Sequence, residues 1–178
     1  MSAQTDAIKW HARFTVREYA GDIDQYRRVH GRRFGERLFL EEHPVLAERV
    51  IEGNLLLDEG IEELFKLLTG DTATAYSEAN ARLGVGNGTG AANRVQTALQ
   101  GGSTAYQAMD TGYPVVGATA DHKVTFQATF GEAAANFAWE ECTVDNGAAA
   151  GMNLNRKVAT LGTKSGGSWQ LTLEISLT

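Results

Sequence analysis

A single cysteine, Cys142, is the first constraint on this chain: no intrachain disulfide can form, and a reducing compartment suits it. Histidine is nearly as scarce. The four, at positions 11, 30, 43 and 122, have no metal-ligand spacing, so no metal site and no other cofactor is expected. Only two prolines accompany twenty glycines, which suggests many turns without the Pro/Gly excess of a disordered chain. No apolar run approaches the ~20 residues that span a bilayer, so no membrane partner is expected. Met1 to Trp10 lacks the apolar core of a secretory signal. Nucleophile motifs are missing as well. There is no G-x-S-x-G elbow, and no histidine lies near Cys142 in sequence, which leaves a buried, inert thiol as the default.

What is present is a two-residue alternation in the last third. Val124, Phe126, Ala128 and Phe130 alternate with Lys123, Thr125, Gln127 and Thr129. Trp169, Leu171, Leu173, Ile175 and Leu177 alternate with Ser168, Gln170, Thr172, Glu174 and Ser176. Successive strand side chains point to opposite faces, so each segment has one apolar face and one wet face. Further strands are expected near 81–85, 136–144 and 154–161, with a strand or turn at Tyr113 to Val116. The short Gly-rich connections favour antiparallel neighbours. The fold class is mainly β, an antiparallel sandwich or barrel with one packed helix and an extended N-terminal arm.

The helix is expected over 54–69, with Asn54 as N-cap and Gly70 as the stop. Leu57, Ile61, Leu64 and Leu68 share one face, and Gly60 weakens the helix by about 1 kcal/mol against alanine. Residues 1–53 have no sustained period and read as an arm, with 54–178 as the β-rich domain. Arg13 to Tyr19 fits a short strand, and Val45 to Ile51 a strand or helical turn.

The net charge of −6 is unevenly placed. Residues 1–53 balance nine basic against nine acidic residues, and 54–178 hold seven against thirteen. Arg27, Arg28, Arg32, Arg33 and Arg37 cluster in the arm, opposed by Glu36. That run suits docking on an acidic protein surface or on phosphate. Nucleic acid is disfavoured as the partner, because the rest of the chain is acidic and no stacking aromatics alternate with the arginines. The candidate contact residues are Trp10, Phe14, Tyr19, Tyr26, Arg28, Arg32, Arg33, Phe34 and Phe39, since aromatic and Arg side chains are the usual interface anchors.

Two motifs are candidates for chemistry. Gly86-Asn-Gly-Thr-Gly-Ala91 matches a relaxed dinucleotide pattern, with Asp110 roughly where a ribose-binding acid would lie. The flanking segments are not βαβ, however, and a tightly turned loop is the plainer reading. Glu140 and Glu141 are adjacent, so on a strand they point opposite ways and cannot form a glycosidase pair. Glu141 is expected on the face of Phe137 and Trp139, with Arg156 or Lys157 as an ion-pair partner.

Several stretches resemble short virion proteins of tailed phages. They are Gly53-Asn-Leu-Leu-Leu-Asp-Glu-Gly60, Ala79-Asn-Ala-Arg-Leu-Gly-Val-Gly86, Val124-Thr-Phe-Gln-Ala-Thr-Phe130 and Ala135-Asn-Phe-Ala-Trp-Glu-Glu141. Leu154-Asn-Arg-Lys-Val158, Leu161-Gly-Thr-Lys164 and Trp169-Gln-Leu-Thr-Leu173 continue the likeness. It covers roughly 53–178 and carries no catalytic residues. The resemblance implies a virion component, first a capsid decoration (cement) protein on the outer head surface. The implied partners are the major capsid protein and other copies of the chain, as a homotrimer. A tail-fibre or baseplate attachment module is the alternative. A carbohydrate-binding or hydrolytic β domain using Trp139, Glu141 and Trp169 is the distant one.

Overall fold

The computed structural model describes residues 9–119, 121–147 and 151–178. Ten strands and three helices follow one another as β1 (Trp10–Tyr19), α1 (Ile23–His30), α2 (Arg32–Glu42), β2 (Val45–Glu52), β3 (Leu55–Leu56), α3 (Asp58–Thr69), β4 (Arg82–Gly86), β5 (Thr104–Ala108), β6 (Val115–Val116), β7 (Lys123–Phe130), β8 (Ala138–Asp145), β9 (Asn155–Thr163) and β10 (Ser168–Leu177). They form two antiparallel sheets of order β2-β1-β10-β7-β6 and β3-β9-β8-β4-β5. The protein is mainly β, a two-sheet sandwich.

The inner faces are the ones the alternation marks. Phe14, Val16, Phe126, Ala128, Phe130, Leu171, Leu173 and Ile175 meet Leu83, Val85, Trp139, Cys142, Val144, Leu154 and Leu161 in one core. Trp139 is its largest fully buried side chain. It lies edge-on to Phe130 and to Trp169, at 4.9 and 5.1 Å between ring centroids, the geometry that aromatic quadrupoles prefer.

Residues 9–53 are not an extended arm. β1 is an inner strand of the first sheet, in register with β10 from Trp10 opposite Leu177 to Tyr19 opposite Ser168, and paired on its other side with β2. The physical reason is the period-two run Ala12, Phe14, Val16, which faces the core and is buried along its length. Between the two strands the chain forms a helical hairpin, so the described residues hold three helices instead of one. Asp22 caps α1 by accepting the Asp24 N–H, and Gly31, at φ 78°, turns the chain into α2.

The expected helix starts later, at Asp58. Residues 55–56 instead pair with β9 as β3. Asn54 does not cap it: its Oδ1 accepts from Trp10 Nε1 at 3.1 Å. Gly60 also has a role that propensity hides. A Cβ there would lie 2.5 Å from Leu154 Cα and 2.6 Å from its carbonyl oxygen, so glycine sets how closely α3 approaches the backbone that leads into β9. We expect Gly60→Ala to destabilise the fold by about 1–3 kcal/mol, overpacking outweighing the helix gain. Urea unfolding measures this, and a more stable variant would refute it.

Candidate functional site

Each outer face of the sandwich carries a cover over part of its area, and each cover is fastened by buried charge. Over the second sheet lies the 87–103 loop. Over the first lies the α1–α2 hairpin, whose own apolar contact is small: Tyr19, Ile23 and Phe39, with Tyr26 at the edge.

The first fastening is Glu141 with Arg156. Both side chains are wholly buried, with Arg156 Nε 2.7 Å and Nη2 2.6 Å from Glu141 Oε2. Glu141 Oε1 accepts from the backbone N–H groups of Gly88, Gln100 and Gly101 at 3.2, 3.0 and 2.7 Å. Arg156 Nη1 reaches the Gly90 carbonyl and Gln96 Oε1, each at 3.0 Å. The glycine-rich loop therefore does cradle an anion, but the anion is the protein's own carboxylate. A Cβ at Gly86 or Gly88 would sit 2.5 Å from Glu141 Oε1, which is why those positions are bare.

The expected face of Glu141 is corrected here. The β8–β9 pairing slips between Trp139 and Glu141. Beyond that irregularity Cys142 and Val144 point into the core, while Glu141 sits opposite Gly86 beneath the loop. A bulge shifts the alternation by one residue, so parity counted from Trp139 assigns the wrong side. Its partner is Arg156, from the adjacent strand. Burial pushes the Cys142 thiol up, away from reactive thiolate character. Trp139 and Trp169 are core side chains, so they offer no stacking platform for a sugar.

The second fastening centres on Arg27. Its Nη2 is 2.9 Å from Glu36 Oε1 and 3.0 Å from Asp110 Oδ1, and its Nη1 reaches Asp24 Oδ1 and the Thr129 carbonyl. Asp110 also accepts from the Thr129 N–H, the Thr129 hydroxyl and Gln127 Nε2. Glu36 Oε2 takes the Thr111 N–H, and Arg32 bonds Glu36 and the Met109 carbonyl. Burial holds the Asp110 carboxyl above its usual range despite these donors. Asp110 is thus a docking residue for the hairpin and not a ribose ligand.

Lys164 is a third buried cation. Its Nζ donates to the Gly131 and Glu132 carbonyls and to Asn136 Oδ1 at 2.8–3.2 Å. Burial pulls its pKa down to about 8.

Of the nine candidate contact residues, four are exposed on the hairpin: Arg28, Arg32, Arg33 and Phe34. Tyr26 is half-buried, and its hydroxyl donates to Glu42 Oε2 at 2.6 Å. Trp10 is half-buried against the core. Phe14, Tyr19 and Phe39 are corrected, because they are buried within the fold and have no surface to offer. Arg37, already part of the arginine run, and Leu40 follow Arg33 at helical spacing on α2, and both are exposed. Arg37 stacks on Phe34, 5.0 Å from the ring centroid.

Among the described residues, no group of three or more His, Cys, Asp or Glu could hold a metal ion, and no helix is long and apolar enough to cross a membrane. Comparison with family models, with curated proteins and with solved structures returned no match.

Proposed function

We propose that this protein is a structural component of a tailed-phage virion, a decoration protein that binds the outer head surface through the α1–α2 hairpin. The observation that carries the reading is a division of charge. The interior ion pairs, with Arg32 on Glu36 among them, are spent on fastening loop and hairpin, while Arg33, Phe34 and Arg37 are exposed together on α2 and Arg28 is exposed on α1. Exposed arginine beside an exposed aromatic is the chemistry of a protein-docking surface. The resemblance of residues 53–178 to β-rich virion modules supports the setting.

The mechanism is mechanical. A ligand that binds only the assembled shell stabilises it by mass action. A trimer that engages several capsid subunits at once multiplies that effect through effective concentration. The hairpin is held by the Arg27 network, so its surface is presented in one orientation and little ordering entropy opposes docking.

Electron microscopy of virions labelled with an antibody to this chain tests the placement. Label spread over the head is expected. Label confined to the tail would overturn decoration in favour of an attachment module.

A further inference from the structure

Between α2 and the 110–113 segment runs a cleft of about 480 Å³, whose lining includes Ile23, Phe34, Leu40 and Tyr113 as well as Arg33 and Arg37. We infer that this cleft receives an acidic peptide segment of the docking partner, anchored by one aromatic or aliphatic side chain. The inference rests on the docking role proposed for the hairpin and names the chemistry of its partner.

Three observations lead to it. First, the two carboxylates in the cleft are buried and already paired, so little of their charge is presented to a basic ligand. Glu36 and Asp110 are 6% and 5% exposed. Glu36 is occupied by Arg27, Arg32 and the Thr111 N–H. Asp110 is occupied by Arg27, Gln127 and Thr129. Second, the charge that remains available is positive. Arg33 is exposed and, among the described residues, has no carboxylate within 4.0 Å. Arg37 has one exposed partner, Glu41 at 3.6 Å, and such a pair contributes little and exchanges readily. Third, Phe34 is 48% exposed and Leu40 37%, so apolar surface lies open beside the cations. A groove of this size accommodates a few side chains of an extended segment. An acidic residue on Arg33 and Arg37, with its neighbour's ring or branched chain against Phe34 and Leu40, satisfies both halves of the cleft. Nucleic acid fits less well, because residues 22–43 hold five arginines against five carboxylates and form no basic stripe.

The test is fluorescence anisotropy on the full chain with three labelled probes: a peptide Asp-Glu-Phe-Asp-Glu, its Lys-Arg-Phe-Lys-Arg counterpart, and an oligothymidylate. The acidic peptide is expected to bind saturably. Arg33→Glu and Leu40→Asp should each weaken it at least about tenfold, a loss equivalent to about 1.4 kcal/mol. Arg94→Gln, on the other sheet's loop, should leave it unchanged. Both cleft positions are solvent-exposed, so the variants keep the fold, and an unchanged melting curve checks this. Equal binding of the basic peptide, or full affinity in both cleft variants, overturns the inference. Tighter, Arg33-dependent binding of the oligonucleotide would also overturn it and assign the cleft to nucleic acid. The two readings fail separately. Head labelling with no peptide binding removes the cleft proposal alone. Tail labelling with peptide binding removes decoration and leaves the cleft intact.

Discussion

Glu141→Ala is expected to destabilise the protein by about 3–5 kcal/mol, the usual consequence of removing one partner of a buried ion pair. Arg156 would be left as an uncompensated charge at 1% exposure. The N–H groups of Gly88, Gln100 and Gly101 would lose their acceptor at the same time. Each unsatisfied buried donor costs about 1–3 kcal/mol unless water replaces the carboxylate. The converse change should be milder. Arg156→Met removes the cation and leaves Glu141 in a nest of backbone donors, a setting that stabilises an anion without help. We therefore expect Arg156→Met to cost at least about 1 kcal/mol less than Glu141→Ala, although both break the same pair. Urea unfolding gives the two values. Amide hydrogen exchange at residues 88, 100 and 101 locates the damage, because these N–H groups lose their acceptor and the loop should open locally there first. Equal costs for the two variants would mean that the pair, and not the nest, holds the loop. A cost below about 1 kcal/mol for Glu141→Ala would mean that the loop is fastened elsewhere.

The same residues show where a sequence can be read and where it stops. β7 and β10 were legible because apolar and polar residues alternate without interruption, and one inner face of the core follows directly. Glu141 was legible as a paired residue, but its face was not, because the slip in β8 leaves no mark on composition. The hairpin was illegible for a different reason. Its helices bury little beyond Ile23 and Phe39, so no apolar stripe announces them. They dock through Arg27, Glu36 and Asp110, residues that in a linear reading look like solvated charges. Asp22 as a cap and Gly31 as a stop were the available signals, but they bound only α1, while Arg33, Arg37 and Leu40 lie beyond that stop on α2. The glycine ladder shows the same limit. Its pattern announces backbone N–H groups turned towards an anion, and only the fold identifies that anion as Glu141.

Arg27→Met should detach the hairpin and make stability depend on acid more strongly than the native protein's does. The Arg27 side chain is 14% exposed, and a single nitrogen touches both Glu36 and Asp110. Two oxygens within hydrogen-bond reach of one atom lie at most about 6 Å apart, close enough for strong mutual repulsion once the cation is gone. A loss of about 3–5 kcal/mol is expected near neutral pH. The sign of the pH effect follows from Asp110. Burial already raises its folded pKa above the ordinary 3.8, so the folded state holds the proton more tightly than the unfolded one. Ionising it costs stability, and that cost is absent below the unfolded value and grows as pH rises through the folded one. Removing Arg27 raises the folded value further, widening the window upward. The deficit of the variant against the native protein should therefore be full at pH 7 and shrink by more than about 1 kcal/mol towards pH 4. Urea unfolding of both proteins at pH 4, 5.5 and 7 measures the difference, with the acid sensitivity common to both cancelling. A deficit that stays constant across this range would show that Arg27 acts through its bond to the Thr129 carbonyl and its packing, with the two carboxylates playing no part.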